Sequence, residues 1–490
     1  MTQFATSIIG IKEDLAAGKY TSVDLVEDFY QRIDRLDQEI HGYITLNKEE
    51  AIKAAQAADQ AGYGPDSPKL NGVPLAIKDN ILTEDLKTTA ASKMLENFIP
   101  TYDASVVKKL KEAGAVILGK VNMDEFAMGG SSETSYFGPS HNPWDLDRVP
   151  GGSSGGSAAV VASHQAAGSL GTDTGGSVRN PASFNGLVGM KPSYGTVSRL
   201  GVISFGSSLD QVGPLTHTVA DNALLLEVIA GNDPGDSTTL PETEYDFSSK
   251  LGQPLQGMKI AFPKEYKSDR IAPDIRQSME DAAAFFESQG ASVEEVTLPH
   301  SKYGINVYYI IASSEASSNL QRYDGIRYGY RSESAQTLEE VYVQSRSQGF
   351  GDEVKRRIIL GTYSLSAGAF DLYFKKAAQV RSLIREDFQK VFADYDLIMG
   401  PTTISTAFKI GSKTADPVEM YLADLLTVNA NLTGMPALSI PAGFDQAGLP
   451  IGLQLMGRFQ DEATIYQAAS AFEAGHDYAH QVPEFVKGDR

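Results

Sequence analysis

The apolar positions near the start of the chain recur at the spacing of a helix. Thr21 and Ser22 can cap a helix, and apolar side chains between Val23 and Leu36 then follow at helical intervals. A second segment, from Lys48 to Ala61, shows the same spacing and ends in a turn rich in glycine and proline. The first sixty residues are therefore predicted to be largely helical.

Beyond residue 70, short apolar runs alternate with amphipathic segments. Val73–Ile77 and Ala115–Leu118 are predicted to be buried strands, with a helix over Ser105–Ala113 between them. The alternation continues with predicted strands at 258–262, 292–296, 397–399, 437–440 and 451–456 and predicted helices at 219–230, 273–289 and 461–474. Such alternation is typical of a sheet of mainly parallel strands covered by helices.

We therefore predict an α/β protein with one α/β/α domain over residues 1–490, built on a large, mainly parallel, twisted mixed sheet. The core that carries the motifs described below is placed at about 70–215. A polar stretch rich in proline, glycine and serine, at about 231–257, is predicted to be a surface loop. A largely helical insertion is predicted at about 303–392.

From Gly129 to about Gly213, glycine and serine dominate and charged side chains are scarce. A flexible linker can have this composition. Here, however, the small polar residues are interleaved with apolar runs such as Ala158–Ala162 and Leu187–Met190, which a linker has no reason to contain. We interpret the stretch as tightly packed chain, in which glycine permits close approach of the backbone and positive φ angles.

The charge and cysteine content of the chain exclude several classes of site. The 490 residues contain 42 lysines and arginines against 62 acidic residues, and the net charge of −20 repels phosphate backbones. Cysteine is absent, which excludes thiol nucleophiles, disulfides, zinc–cysteine sites and iron–sulfur clusters. The N-terminus does not resemble a signal peptide, and no apolar run is long enough to span a membrane, so we expect a cytoplasmic protein.

Motifs for nucleotides, metals and a histidine-based triad are absent or weak. Neither a G-x-x-x-x-G-K-[ST] phosphate loop nor a G-x-G-x-x-G turn after a strand occurs. Only His476 and His480 stand four residues apart, near a predicted helix end, so no metal site is predicted. Residues 152–156 match the G-x-S-x-G elbow of serine hydrolases, but they follow irregular chain rather than a strand. A Ser–His–Asp hydrolase is therefore the weaker interpretation.

Three pieces of sequence carry candidate chemistry: Lys78 at the end of a predicted buried strand, the serine-rich run 151–157, and the segment 171–179. A lysine in that position can simply extend its ammonium to water. If the ammonium is instead held away from water, burial lowers its pKa toward 7, and the neutral amine can act as a base. A serine hydroxyl needs such a base to become a nucleophile, and serine–lysine pairs act on several folds without histidine.

Ser177 is the serine best placed to attack a carbonyl carbon. It closes the turn Thr174–Ser177, in which small residues allow successive backbone N–H groups to point at one position. Such donors stabilise a developing oxyanion, so the N–H groups of Thr174, Gly175 and Gly176 are candidates for that role. The alternative is a glycine-rich turn that serves packing alone.

Taken together, the three pieces resemble the amidase signature family. Its serine-rich motif G-G-S-S-G-G-S stands at 151–157, and its nucleophile motif G-[ST]-D-x-G-G-S-[IV]-R stands at 171–179. The family spacing from lysine to the two serines is matched as well. The resemblance implies the hydrolysis of an amide through a serine–serine–lysine triad, with no cofactor bound by this chain.

The resemblance also implies a role for each residue of the triad. Ser177 is expected to be the nucleophile that forms the acyl intermediate. Ser153, which follows a cis peptide bond from Gly152 in the family, is expected to relay protons, and Lys78 is expected to be the base. The neighbouring Ser154 is expected to support this network.

Within the family, the resemblance extends to the glutaminase subunits of bacterial tRNA-dependent amidotransferases. It rests on residues 129–145, 208–214, 313–320 and 322–325. It implies a chain that releases ammonia from glutamine and works with the B and C subunits of the amidotransferase. The B subunit would hold misacylated tRNA and use ATP and Mg²⁺, and the small C subunit would brace the pair. The product would be Gln-tRNA(Gln) or Asn-tRNA(Asn), and the sequence leaves the acceptor open.

Recognition of glutamine requires a cation for its α-carboxylate and an anion for its α-ammonium. The resemblance implies an arginine and an aspartate in the C-terminal half, which Arg357 and Asp424 match. Arg356 is the competing choice for the arginine, and either role can instead be that of a surface charge on a helix. Tyr308 or Tyr309 is expected to close the pocket.

Two other functions remain as alternatives. A free-standing amidase with the same triad would act on other small amides without partners, whereas a non-catalytic assembly protein would tolerate loss of Ser177. The pair Arg357 and Asp424 argues against the first, and the intact triad argues against the second. Asn185 and Asn429 depart from the family pattern, in which a small residue or cysteine and a proline are common, and this affects expectations about local packing alone.

Overall fold

Eleven strands form one continuous sheet in the computed structural model, which describes residues 4–413 and 417–487. The strands are β1 Tyr43–Leu46, β2 Pro74–Lys78, β3 Val116–Val121, β4 Gly168–Asp173, β5 Val188–Lys191, β6 Gln211–Thr216, β7 Lys259–Pro263, β8 Ser292–Val296, β9 Leu397–Pro401, β10 Ala437–Phe444 and β11 Pro450–Gly457. The helices are α1 Ile8–Ala16, α2 Ser22–Ile40, α3 Lys48–Ala61, α4 Ser105–Glu112, α5 Gly155–Ala162, α6 Arg179–Asn185, α7 Val219–Ile229, α8 Pro273–Ser288, α9 Gly304–Asn319, α10 Leu338–Gly349, α11 Asp352–Ser364, α12 Phe374–Asp394, α13 Pro417–Tyr421, α14 Val428–Thr433, α15 Glu462–Ala474 and α16 Glu484–Lys487.

The sheet runs in the order β1–β3–β2–β4–β6–β5–β10–β11–β9–β7–β8. Toward one end β2 lies parallel to β3 and β4, and toward the other end β7 lies parallel to β8 and β9. The strands between these two groups pair antiparallel with one another and with their neighbours. The α/β class and the large mixed sheet predicted from the sequence are confirmed.

The prediction that the sheet is mainly parallel is wrong, since six of the ten strand pairings in the described residues are antiparallel. Part of the reason is local, because only the turn 445–449 separates β10 from β11 and a connection this short allows only a hairpin. The wider reason is that apolar periodicity identifies a strand without indicating its direction relative to its neighbours.

Most predicted elements lie close to their predicted bounds. The helix at Lys48–Ala61 and the strand at Ser292–Val296 match the prediction, and Thr21 caps α2 through a capping box with Asp24. The first sixty residues are not wholly helical, however, because Tyr43–Leu46 forms an edge strand. A strand of four residues is too short to give a clear periodic pattern.

Two long segments connect the parts of the sheet. Residues 231–257, all of them described, contain no helix or strand. Residues 303–392 contain α9 to α11 and all but the last two residues of α12, with irregular chain between the helices. Within this segment, α9 packs against α11 and α12. It also packs against α14 in the C-terminal part of the chain, so the segment forms a wall beside that part.

The carboxyl ends of β2 and β4 lie side by side because the two strands are parallel, with Ile77 opposite Leu170. Lys78 is the last residue of β2, and Asp173 is the last residue of β4. The helix that begins within the serine-rich run, α5, packs against both strands. Ligands commonly bind beyond the carboxyl ends of strands in α/β sheets. The fold therefore brings the three segments with candidate chemistry to one edge of the sheet.

Close packing of α9 against α11 sets the relative position of several candidate pocket residues. Gly361 of α11 is buried, and a β-carbon added to it would stand 1.9 Å from the carbonyl oxygen of Ser313 in α9. α9 carries Tyr308 and Tyr309, and α11 carries Arg357. A larger residue at position 361 would therefore displace the helices that hold these three side chains.

We expect Gly361→Ala to lower the free energy of unfolding by about 1–3 kcal/mol, because the added methyl group forces two packed helices apart. Urea denaturation followed by circular dichroism measures the change. Gly368→Ala is the matched control, since Gly368 is exposed and nothing lies within 4 Å of its added β-carbon. Equal stability of the two variants would contradict the importance of this contact.

Candidate active site

Lys78 is fully buried at the end of β2 and is surrounded by hydroxyl groups. Its Nζ donates hydrogen bonds to Oγ of Ser153 at 2.8 Å, to Oγ of Ser154 at 2.8 Å and to Oγ1 of Thr172 at 2.9 Å. Burial lowers the pKa of Lys78 to about 7, although the charges of nearby carboxylates oppose this shift. A substantial fraction of the amine is therefore neutral near pH 7 and can accept a proton.

Ser153 is held through its backbone as well as by Lys78. The peptide bond from Gly152 to Ser153 is cis, as the resemblance implied. The carbonyl oxygen of Ser153 accepts a hydrogen bond from the N–H of Asp124 at 3.2 Å. A β-carbon added to Gly152 would lie 2.1 Å from the carboxylate of Asp124, so the loop passes against this residue with no space for a side chain.

Ser154 links the serine-rich loop to the segment that contains Ser177. Its hydroxyl donates to the carbonyl oxygen of Thr172 at 3.1 Å, and its N–H donates to the carbonyl oxygen of Ser177 at 3.1 Å. The hydroxyl of Ser177 makes no hydrogen bond with any residue that the structure describes. The structure thus joins Lys78 to Ser153 directly and places Ser177 beside them with its hydroxyl unengaged.

The turn Thr174–Ser177 leaves no room for a side chain at its two glycines. Gly176 has a φ of 141°, in the region that favours glycine, and an added β-carbon would stand 2.2 Å from Oγ1 of Thr427. At Gly175 the added atom would stand 2.5 Å from the ring of Tyr308. Two distant segments of chain therefore press directly on this turn and fix its shape.

The backbone donors of this turn do not all point away from the protein. The N–H of Gly176 donates to Oδ1 of Asp173 at 2.9 Å, so it is already engaged, and this corrects the prediction that it stabilises an oxyanion. The N–H groups of Gly175 and Ser177 have no acceptor among the described residues. The hydroxyl of Thr174 donates a hydrogen bond to Oδ1 of Asp210 at 2.6 Å.

Asp173 and Arg179 form a fully buried ion pair beneath the turn. Nε and Nη2 of Arg179 donate to the two carboxylate oxygens of Asp173, each at 3.0 Å. The guanidinium also donates to the carbonyl oxygen of Thr427 and to the side chains of Gln454 and Asn431. Burial by itself raises the pKa of Asp173, but the positive charge of Arg179 and the hydrogen bonds from Arg179 and Asn431 together outweigh it and lower the pKa to about 2.

Arg357 and Asp424 both contact Tyr309. The hydroxyl of Tyr309 donates to Oδ2 of Asp424 at 3.1 Å, and the guanidinium carbon of Arg357 lies 4.6 Å from the centre of the Tyr309 ring. Both charged residues are buried. Nε of Arg357 donates to Glu353 at 2.7 Å, which leaves its terminal amino groups without a hydrogen bond among the described residues.

Burial raises the pKa of Asp424 to about 7, although the charge of Arg357 opposes this shift. Thr427 connects Asp424 to the turn that carries Ser177. Its hydroxyl donates to the carbonyl oxygen of Gly175 at 2.6 Å, and its N–H donates to the carbonyl oxygen of Asp424 at 3.1 Å. The acidic side of the candidate pocket is therefore within two hydrogen bonds of the candidate nucleophile turn.

The alternative residues that the sequence left open have different surroundings in the structure. Arg356 has 43% of its side chain exposed and pairs with Glu353, whereas Arg357 is buried against Tyr309. Tyr308 packs on Gly175, and Tyr309 contacts Arg357 and Asp424.

Three residues of the site were not predicted from the sequence. Thr172, which binds Lys78, lies inside the segment 171–179 and could have been chosen from it. Glu353 stands four residues before Arg357, a spacing at which charged side chains on a helix meet. Thr427 gave no signal, because its contacts depend on the packing of a distant segment.

Asn185 and Asn429, which depart from the family pattern, differ in their hydrogen bonding. Nδ2 of Asn185 donates to the carbonyl oxygens of Pro150 and Pro181, and so braces the chain just before the serine-rich run. Oδ1 of Asn429 is buried without a hydrogen bond in the structure.

The remaining sequence motifs add little to the site. Ser154, the serine of the weaker G-x-S-x-G interpretation, contacts Lys78 rather than a histidine. In the described part of the chain, no group of three or more histidine, cysteine or acidic side chains is arranged to hold a metal ion. No helix within residues 4–413 and 417–487 is long and apolar enough to cross a membrane.

Comparison with known proteins identifies relatives along nearly the whole chain. The family model described as Amidase matches residues 24–466. The chain is 58% identical over 475 residues to the A subunit of glutamyl-tRNA(Gln) amidotransferase from Streptococcus pneumoniae, with 97% of each chain covered. It is also 58% identical over 483 residues to the protein of the same name from Lacticaseibacillus casei, with 99% of each covered.

A solved structure agrees with these relatives. The crystal structure of the A subunit of glutamyl-tRNA(Gln) amidotransferase from Thermotoga maritima is 42% identical, superimposes with a TM-score of 0.80, and covers 94% of each chain. A family match over most of the sequence, high identity and a shared fold all lead to the same assignment. The chain belongs to the amidase family.

Proposed function

We propose that this chain is the glutamine-hydrolysing subunit of a tRNA-dependent amidotransferase. The names of relatives that are 58% identical over almost the full length support the proposal. The observation that carries it is the arrangement at the sheet edge, where a buried lysine contacts Ser153 beside Ser177 and a buried arginine and aspartate form the adjoining wall. A free-standing amidase needs the first feature and has no need of the second.

The chemistry begins at Lys78. Its neutral amine takes the proton of Ser153 Oγ while Ser153 takes that of Ser177 Oγ, and Ser177 attacks the side-chain amide carbon of glutamine. The N–H groups of Thr174, Gly175 and Ser177 hold the oxyanion. The proton returns along the relay to the amide nitrogen, the C–N bond breaks and ammonia leaves. Water then hydrolyses the γ-glutamyl ester through the same relay, and glutamate is released.

Glutamine is oriented by two opposite charges. The terminal amino groups of Arg357 bind the α-carboxylate, and the carboxylate of Asp424 binds the α-ammonium. Tyr308 closes the pocket against the nucleophile turn, and Tyr309 keeps the two charged residues at a fixed separation. A small amide that lacks both charged groups gains neither contact.

The remainder of the reaction belongs to partner chains in this proposal. The relatives are named as components of an amidotransferase, and we propose partners equivalent to its B and C subunits in the cytoplasm. Misacylated tRNA, ATP and Mg²⁺ would be handled by the B subunit. The acidic charge of this chain and the lack of a phosphate loop in its sequence support that division.

We expect Ser177→Ala and Lys78→Ala each to reduce glutamine hydrolysis by ~10³-fold or more, because each removes a member of one relay. Ser154→Ala should cause a smaller loss, since Ser154 supports the lysine without carrying the transferred proton. Ammonia release is measured for the chain alone and for the complex with its partners, charged tRNA and ATP. Cleavage of simple amides without cleavage of glutamine would instead establish a free-standing amidase.

We expect Arg357→Ala to raise the KM for glutamine about 30-fold, equivalent to about 2 kcal/mol, because it removes the charge-assisted contact to the α-carboxylate. Arg356→Ala is the matched control on the same helix and should change KM less than threefold. The substrate 4-aminobutanamide, which is glutamine without its carboxylate, should not distinguish Arg357→Ala from the parent enzyme. Equal effects of the two arginine substitutions would contradict the assignment.

We expect kcat/KM to fall as the pH drops below about 7, because protonation of Lys78 removes the base. Protonation of Asp424, whose pKa is also raised to about 7, weakens glutamine binding over the same range, so both effects act in the same direction. The fall should therefore be steeper for glutamine than for 4-carbamoylbutanoate, which lacks the α-ammonium. A flat profile between pH 5.5 and 8 for both substrates would contradict this mechanism.

A further inference from the structure

Glu125 is a buried carboxyl group that the proposed mechanism does not use. It is 2% exposed and lies beside Asp124 in the sequence. Oε2 accepts a hydrogen bond from the N–H of Gly351 at 2.8 Å, and Oε1 accepts one from the hydroxyl of Ser92. The two partners belong to segments far from Glu125 in the sequence.

The contact with Gly351 lies at the start of α11. Gly351 is the N-cap residue of that helix and has no side chain with which to cap it. Glu125 supplies a hydrogen-bond acceptor at this helix start from another part of the chain. The fit is tight, since a β-carbon added to Gly351 would stand 2.3 Å from Oε2. The neighbouring rings of Phe126 and Phe350, 5.6 Å apart, reinforce the same contact.

The first turn of α11 determines where Arg357 points. Glu353 lies in that turn, and its Oε1 accepts hydrogen bonds from Nε of Arg357 at 2.7 Å and from the hydroxyl of Tyr421 at 3.1 Å. Arg357 stands six residues beyond Gly351, which corresponds to about 9 Å along the helix. A shift of the helix start is therefore transmitted to the guanidinium.

The residue before Glu125 contacts the serine-rich loop. The N–H of Asp124, the residue before Glu125, donates to the carbonyl oxygen of Ser153 at 3.2 Å. Asp124 thus contacts the loop that carries Ser153, and the next residue, Glu125, contacts the helix that carries Arg357.

We propose that Glu125 is a positioning residue for substrate binding, which holds the start of α11 so that Arg357 meets the α-carboxylate of glutamine. The inference rests on the proposed function, because it assigns Arg357 to that carboxylate.

Burial raises the pKa of Glu125 to about 7 despite its hydrogen bonds with Ser92 and Gly351. Neutral and charged forms therefore coexist at neutral pH, and both can accept a hydrogen bond from Gly351. In Glu125→Gln, the side-chain amide oxygen can also accept that bond, and the amide nitrogen can donate to the hydroxyl of Ser92. Glu125→Gln is accordingly the conservative variant, and Glu125→Ala removes the contact.

The test is the steady-state hydrolysis of glutamine and of 4-aminobutanamide by the assembled complex. For Glu125→Ala we expect the KM for glutamine to rise at least tenfold, kcat to change less than threefold, and kcat/KM for 4-aminobutanamide to stay within twofold. Glu125→Gln should restore the KM for glutamine to within threefold of the parent value.

Glu473→Ala is the matched control. Glu473 also accepts a backbone hydrogen bond at the start of a helix, from the N–H of Val219 in α7 at 2.9 Å, and α7 carries no candidate pocket residue. This variant should leave both substrates unaffected. If Glu125→Ala gives no folded protein, the same measurements are made on Gly351→Ala, which disturbs the contact from its other side and should show the same selective rise in KM.

An unchanged KM for glutamine in the perturbed variant, or equal losses on both substrates, would overturn the inference while leaving the proposed function intact. A parent complex that does not hydrolyse glutamine would overturn the proposed function and this inference with it. The activity of the parent complex therefore separates the two failures.

Discussion

The buried ion pair of Asp173 and Arg179 is the interaction on which the candidate site depends. One carboxylate accepts hydrogen bonds from the guanidinium and from the N–H groups of Gly176 and Val178, so it shapes the nucleophile turn from beneath. The guanidinium reaches across to the C-terminal part of the chain. Loss of one partner would leave an uncompensated charge in the interior, which typically costs about 3–5 kcal/mol. Both partners must therefore be present to hold the nucleophile turn in place against the C-terminal part of the chain.

Two buried basic side chains in one site differ both in their chemistry and in their neighbours. Arg179 carries a guanidinium, a group that is not deprotonated in proteins, and it faces a carboxylate at hydrogen-bond distance. Lys78 is bound to neutral hydroxyls, and burial lowers its pKa to about 7. The first cation maintains structure and the second can exchange a proton, although both are entirely removed from water. The fold thus pairs the permanently charged guanidinium with a carboxylate and leaves the titratable amine among hydroxyl groups.

The wall of the pocket is assembled from helices that are remote in sequence from the serine and lysine motifs. α9 and α11 approach closely at Gly361, and this contact places Tyr309 beside Arg357. Thr427 then joins this wall to the nucleophile turn through the carbonyl oxygen of Gly175. Substrate-orienting and bond-breaking residues thus share one packed framework, which is what precise positioning of a small substrate requires.

The sequence by itself determined most helices and strands and the residues that carry candidate chemistry, because both follow from patterns over a few neighbouring residues. Apolar periodicity identified most helices and strands, and the motifs at 151–157 and 171–179 with Lys78 indicated a serine–lysine site. Strand direction, the engagement of the Gly176 N–H by Asp173 and the burial of Arg357 beside an exposed Arg356 were decided only by the tertiary structure. Each of these depends on which distant segment packs against a residue, and no local spacing in the chain records that contact.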